Sequence, residues 1–125
     1  MITAIGIDIA EVKRIEQSIE RYGERFLKRV FTPAEIGFCG SRANSTQCFA
    51  ARFACKEAVS KCLGTGFRRG VSPIMIEIVD DERSRPSVRL HGRAAEAGRG
   101  QRIHLSLSHE RTMVVAVAVM EPEQP

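Results

Sequence analysis

The sequence predicts an α+β fold, an antiparallel-rich sheet with one long central helix packed on it and shorter helices at its edge. Two kinds of pattern carry that expectation. Residues 11–30 and 49–63 repeat their apolar positions at the helical period, whereas residues 2–9, 74–79, 87–91, 103–109 and 113–120 alternate or run apolar over strand lengths. The last two of these stretches lie close enough to form a hairpin. A chain of 125 residues suits one domain with a hydrophobic core. Residues 1–121 are assigned to it, with 122–125 as a polar, frayed tail.

The opening stretch, ITAIGIDI at residues 2–9, reads as a buried strand interrupted by one acid, Asp8. A carboxylate in that place is either the cap of the next helix or a metal ligand. Over residues 11–30, Val12, Ile15, Ile19, Tyr22, Phe26 and Val30 form one apolar stripe, and Arg14, Arg21, Arg25 and Lys28 a basic one. Such segregated charge is either a solvated face or a docking face for an acidic partner. Thr32-Pro33-Ala34-Glu35 has the pattern of a capping box with proline at the first helical position.

The central helix, FAARFACKEAVSKCLGTG at residues 49–66, ends on a glycine turn. Its period stacks Glu57 on Lys61 and Arg52 on Lys56. Ala50 and Ala54 share the Glu57/Lys61 face, so another backbone can approach closely there. One carboxylate, several cations and exposed loop amides make a phosphate-plus-metal constellation, set against the simpler reading of a surface ion pair. Beyond it, residues 74–79 read as a half-buried strand, 80–86 as a charged turn and 92–98 as a short helix.

Composition sets limits. A formal charge of +4 and a pI near 9.2 suggest an acidic partner. No apolar run approaches the ~18–20 residues of a membrane span, and no signal peptide is apparent at the N-terminus. Cysteines 39, 48, 55 and 62 contain no close ligand pair, which argues against structural zinc. The seven-residue spacing of the last three places them along one helix, where they cannot bridge one another. Free buried cysteines in a reducing cytoplasm are the expectation.

Three segments, GIDIAEVKR (6–14), FACKEAVSKCLGTG (53–66) and LSLSH (105–109), taken in this order, resemble the holo-acyl-carrier-protein synthase family of small bacterial 4′-phosphopantetheinyl transferases. The resemblance spans nearly the whole chain. It implies Mg²⁺-dependent transfer of the phosphopantetheine arm of coenzyme A to a serine of acyl carrier protein, releasing adenosine 3′,5′-bisphosphate. It further implies a cytoplasmic homotrimer of fatty acid biosynthesis with active sites between subunits.

By the same resemblance Asp8 and Glu57 are the metal ligands. Glu57, or a metal-bound water that it holds, takes the serine proton, and Lys61 faces the pyrophosphate. Arg52, Gly64, Thr65, Gly66, Pro86, Ser108 and His109 correspond to coenzyme A contacts, with Arg42 the cation left in an otherwise poorly basic loop. Arg14, Arg21 and Arg25 correspond to the carrier-docking face. Two other classes compete. A phosphohydrolase could also use Asp8 and Glu57, and the charge alone would suit a small nucleic-acid-binding domain. With one tyrosine and no tryptophan, the latter lacks an aromatic-bearing strand motif. Neither nucleic acid nor membrane is an expected partner.

Overall fold

The computed structural model describes residues 1–124. The chain begins with β1 (Ala4–Glu11), then α1 (Val12–Tyr22), α2 (Glu24–Val30), α3 (Pro33–Gly40) and the long α4 (Ser45–Leu63). After a 3₁₀ turn at Pro73–Met75 come β2 (Ile76–Asp80), β3 (Pro86–Leu90), α5 (Gly92–Ala97), β4 (Gln101–His109) and β5 (Met113–Pro122). The strands form two antiparallel sheets, a three-stranded one in the order β1-β5-β4 and a β2-β3 ribbon. The α+β expectation holds, with the sheet divided in two.

Strand alternation sorts the larger sheet into two faces. Ala10, Val114, Ala116, Ala118 and Met120 are buried beneath α4, with Ile103, Leu105 and Leu107 of β4 packed against this core. The opposite face carries Ile5, Ile7 and Ile9, each about 60 % exposed, opposite Val119, Val117 and Val115. Helix α4 is buried along most of its circumference, by Phe49, Ala50, Ala54, Cys55, Ala58, Val59 and Cys62 among others. Its C-terminus closes on Gly64 in the left-handed conformation (φ 79°), as the sequence implies.

Where β1 crosses α4 the two backbones nearly touch. A methyl group at Gly6 would lie 2.0 Å from the Ala58 carbonyl oxygen. Helix α4 thus admits a second backbone as its small residues suggest, but at Ala58 and Cys62, further along the helix than Ala50 and Ala54. This crossing sets the register of Asp8 against the helix.

A buried polar cluster ties α3, α4 and β2 together. Glu35 closes the capping box by accepting from Thr32 N–H at 2.8 Å, and its other oxygen accepts from Ile78 N–H at 2.9 Å. Lys56, with no solvent exposure, donates to Glu35 (2.7 Å), Pro73 O (2.9 Å) and Ile76 O (2.7 Å), so all three ammonium protons have acceptors. Burial still pulls the Lys56 pKa down, against the pull of Glu35. Thr32 Oγ1 donates to Glu77 at 2.7 Å, and Glu77 also meets His91 at 3.1 Å.

Several expectations are corrected. The helix expected over 11–30 breaks at Gly23, whose φ of 56° is open to glycine and not to a helix interior. Glu11 belongs to β1, and Tyr22 is half exposed instead of lying in the core stripe. Residues 74 and 75 belong to the 3₁₀ turn started by Pro73, so Ile74 is exposed. Asp8 caps no helix: it sits within β1, four residues before the first residue of α1. At the C-terminus Pro122 pairs with Gln101, and Glu123 N–H bonds to Gly100 O, holding the first residues of the expected fray. Pro125 lies outside the described residues.

The cysteines are the largest departure. Cys39 and Cys48 form a disulfide, while Cys55 and Cys62 are free and buried. The heptad spacing of 48, 55 and 62 pointed away from bridges within α4 but said nothing of Cys39, which the turn after α3 folds back onto the first turn of α4.

Two measurements check this account. Gly6→Ala should lower unfolding free energy by about 1–3 kcal/mol in chemical denaturation, because the obstructing atom is backbone. The hydrogen bond from Thr32, then that from His91, holds Glu77 below its usual 4.5. A depressed carboxylate adds stability above 4.5 that disappears as pH falls through its folded pKa. Glu77→Gln should therefore lose less stability than the parent on acidification from about pH 5 to about pH 3; an unchanged slope would count against this pairing.

Candidate active site

The crossing of β1 over α4 brings together the three residues that carry the chemistry in the sequence. Asp8 points from β1 toward α4, where Lys61 Nζ sits 3.2 Å from its carboxylate and 2.8 Å from the Ile7 carbonyl oxygen. Lys61 therefore pairs with Asp8, not with Glu57 one turn earlier, and the simple surface pair expected from i,i+4 spacing does not form. Glu57 has no ion-pair partner among the described residues. Burial first, then the Asp8 carboxylate, pushes its pKa up, and the Lys61 ammonium opposes the shift. Two carboxylates that repel each other across a small gap, beside one cation, lack positive charge.

That donor set is hard oxygen. Among the described residues no group of three or more His, Cys, Asp or Glu side chains could hold a metal. A two-carboxylate site fits Mg²⁺, which takes one or two protein carboxylates and completes its shell from water and phosphate. It does not suit zinc, which calls for three or four protein ligands.

Beyond Lys61, the Gly64-Thr65-Gly66 turn continues from the same end of α4. Gly66 N–H bonds to Ser60 O at 3.1 Å, and Thr65 Oγ1 bonds to Gly66 O at 2.8 Å. Gly64 and Gly66 both have positive φ (79° and 55°), and their amides are turned back onto α4, Gly64 N–H bonding to Lys61 O at 3.1 Å.

Arg52 does not join this group. Five residues before Glu57, it lies about 140° away around the helix. Here it lines a separate cavity of about 630 Å³ with Phe38, Arg42, Asp80, Pro86 and His109. Its guanidinium lies 4.5 Å from the Phe38 ring centre, and that of Arg42 lies 4.0 Å from it. Only 7 % of the Arg52 side chain is exposed; Asp80 is 3.5 Å away, and Nε has no hydrogen-bond partner. A buried guanidinium whose charge partner stands 3.5 Å away is incompletely neutralised, an environment that would favour a further anion beside it.

The two sites thus occupy opposite flanks of α4, one at the β1 edge of the sheet and the other at the β4 edge. Ser108 and His109 part company here. His109 pairs with Val114 on the helix-facing side, whereas Ser108 pairs with Val115 on the outer face. The role of Phe38 was not legible from sequence, since nothing local marks an aromatic in a short helix as a platform for two arginines.

The basic helices are placed as follows. Arg14 and Arg21 are exposed on α1 and Arg25 on α2, beyond the Gly23 break. Arg14 borders a groove of about 430 Å³ with Ile9, Ile15, Ser18, Phe53 and Met113. Arg21 rests over the Tyr22 ring, and Lys28 is paired with Glu24 at 3.7 Å.

The two-sheet α+β domain is shared with a known group of enzymes. Residues 4–118 match the 4′-phosphopantetheinyl transferase superfamily, and the chain belongs to it. Within that group it is similar to the holo-[acyl-carrier-protein] synthase of Koribacter versatilis, 49 % identical over 97 % of this chain and 99 % of that protein. Its fold matches the holo-[acyl-carrier-protein] synthase of Neisseria meningitidis with a TM-score of 0.86 at 36 % identity, covering 97 % of this chain and 99 % of the other. The Bacillus anthracis synthase, solved in complex with CoA (3′,5′-ADP), matches at a TM-score of 0.82 and 35 % identity over 98 % and 99 % of the two chains. The nucleic-acid-binding and phosphohydrolase readings fall away with this membership. Among the described residues no helix is long and apolar enough to cross a membrane.

Glu57→Gln separates function from stability here. A carboxyl whose pKa is raised in the fold adds stability only below its usual 4.5 and loses it as pH rises through the folded value. Without divalent ions at neutral pH, the Gln variant should therefore melt at or above the parent temperature, while its turnover, measured with Mg²⁺ at any concentration, is nearly abolished. A large fall in melting temperature would mean that Glu57 is structural.

Proposed function

We propose that this chain transfers the 4′-phosphopantetheine group from coenzyme A to a serine of apo-acyl carrier protein, releasing adenosine 3′,5′-bisphosphate. The observation that carries the reading is the Asp8–Glu57–Lys61 group at the crossing of β1 and α4. Asp8 and Glu57 would hold Mg²⁺, whose chemistry is to polarise the pyrophosphate and stabilise charge in the transferring phosphoryl group. Glu57, the carboxylate without a cationic partner, would take the proton of the attacking serine, directly or through a water that it holds. Lys61 then shifts from Asp8 toward the departing bisphosphate and offsets its charge. In the Gly64–Gly66 turn the glycine amides are bonded back to α4, which leaves Thr65 N–H as the backbone donor for the same phosphates.

The bisphosphate end of coenzyme A suits the other flank of α4. Arg52 and Arg42 supply paired cations for phosphate, and Pro86 and His109 wall the same cavity. Within one chain these groups and the catalytic trio face away from each other, so a single coenzyme A engages both when it lies between neighbouring chains. The apolar outer face of β1 and β5, with Ile5, Ile7 and Ile9 exposed, supports the homotrimer as the arrangement that covers it. Arg14, with Arg21 and Arg25 on the adjoining turns, forms the surface for the acidic carrier, and the groove beside Arg14 gives it an apolar margin. A cytoplasmic enzyme of fatty acid biosynthesis follows from this substrate pair.

Incubation with coenzyme A, Mg²⁺ and apo-carrier tests the function by mass spectrometry. The carrier should gain one phosphopantetheine; an unchanged carrier with cleaved coenzyme A would refute transfer. Arg14→Glu should raise KM for the carrier roughly ten-fold or more, since reversing an interfacial charge costs at least about 1.4 kcal/mol. KM for coenzyme A should stay within about two-fold. Equal changes in both constants would remove Arg14 from the docking surface.

A further inference from the structure

The Cys39–Cys48 disulfide joins the packed core to the arginine-lined cavity: Cys39 is buried in the core, and Cys48 lines the cavity. Cys39 ends α3 and Cys48 begins α4, so the bridge closes the turn of residues 40–47. This turn carries Arg42, and Phe38 and Cys48 flank it at either end of the bridge. All three residues line the cavity that holds Arg52. Residues 41–44 are exposed, and few other bonds hold them. Arg42 N–H reaches Cys39 O at 3.2 Å, Ser41 Oγ reaches Phe38 O at 3.1 Å and Cys48 N–H reaches Asn44 O at 3.0 Å. Phe38 is held by α3 itself, so the bridge is the main restraint on where the turn places Arg42 relative to Phe38 and Arg52.

We propose that Cys39 and Cys48 are a reversible thiol–disulfide site that sets the affinity of this cavity for an adenosine bisphosphate ligand, tight when bridged and weak when reduced. The ligand class rests on the proposed coenzyme A reading. Closure holds the Arg42 guanidinium in place beside Phe38 and Arg52 before the ligand arrives, and opening the bridge returns that ordering cost to binding. Asp8, Glu57 and Lys61 sit on the opposite flank of α4, so the bridge acts on binding and leaves the chemical step alone.

The chemistry is ordinary exchange. A small-molecule disulfide R–S–S–R accepts two electrons from the two protein thiols. The Cys48 thiolate attacks first, forming a mixed disulfide and releasing one R–SH, and Cys39 then displaces the second R–SH. The two protein protons leave on the two small thiols. A dithiol reductant reverses both steps. Cys48 borders the cavity whereas Cys39 has no exposure, so exchange enters through Cys48 and an occupied cavity obstructs it. Cys55 and Cys62 do not compete: both are buried, and burial pushes the Cys55 thiol up to about 12. A bridge that opens and closes is also the kind found in reducing compartments.

The test uses the full chain in two states, oxidised with glutathione disulfide and reduced with dithiothreitol, with the state of Cys39 and Cys48 read by alkylation and mass spectrometry. Calorimetry with adenosine 3′,5′-bisphosphate should show binding weakened about five-fold or more on reduction. The KM for coenzyme A should rise with it at unchanged kcat, and the bound bisphosphate should slow reduction of the bridge. Cys48→Ser should bind as weakly as the reduced protein whichever reagent is present, and comparing the two states of the parent chain needs no variant to fold. Equal affinity in both states, with the bridge shown to have opened, would overturn the switch and leave the coenzyme A reading intact. Alkylation of both cysteines after oxidation would overturn it too. Absence of bisphosphate binding in either state would overturn the reading of the cavity, and the switch with it.

Discussion

The contact on which the site depends is the one between the backbones of Gly6 and Ala58. Few positions in a fold let a strand lie this close to a helix, because any side chain at the crossing would hold them apart. Here a glycine on β1 meets the backbone of α4 at Ala58 and Cys62, and the gap closes to the distance of the backbones themselves. Asp8, two residues along the strand, and Glu57 and Lys61, on either side of Ala58, are then carried into one another's electrostatic reach. Their juxtaposition is a packing result before it is a catalytic one.

A second constraint acts on the far side of the same helix. Lys56 is next to Glu57 in sequence, yet it faces the interior, where Glu35 and two carbonyl oxygens saturate its ammonium. A buried ion pair is expensive to desolvate and gives little net stability compared with an apolar equivalent. What it provides is specificity of placement, since rotating α4 by one residue would leave both charges unpaired. Arg52, one turn earlier, is the contrasting case. It is nearly as buried but incompletely bonded: its Nε is buried with no partner, while the residue lines a cavity.

The features readable in the sequence were those governed by local chemistry. The Thr32–Glu35 box, the glycine stop after Leu63 and the alternation of β4 depend on neighbours in the chain, and each stands where the pattern puts it. The alanine face of α4 announced that something would approach closely, without naming Gly6 as its partner. Non-local facts were out of reach. Nothing in residues 11–30 outweighed the helical period enough to reveal a break at Gly23, since the residues on both sides continue the same stripe. The bridge between Cys39 and Cys48 needed the turn geometry that brings α3 back to α4. Glu35 could be read as a cap, but not as the partner of Lys56 twenty-one residues later. Membership of the family pointed to Asp8, Glu57 and Arg52 alike; only the coordinates separate them onto two flanks.

That separation has a genetic meaning. In the proposed trimer each working centre draws its acids from one chain and its arginines from a neighbour, so the unit of function is the junction and not the polypeptide. Two defective alleles, one lacking an acid and the other an arginine, would then restore some activity when expressed together, because mixed assemblies contain junctions built wholly from intact halves.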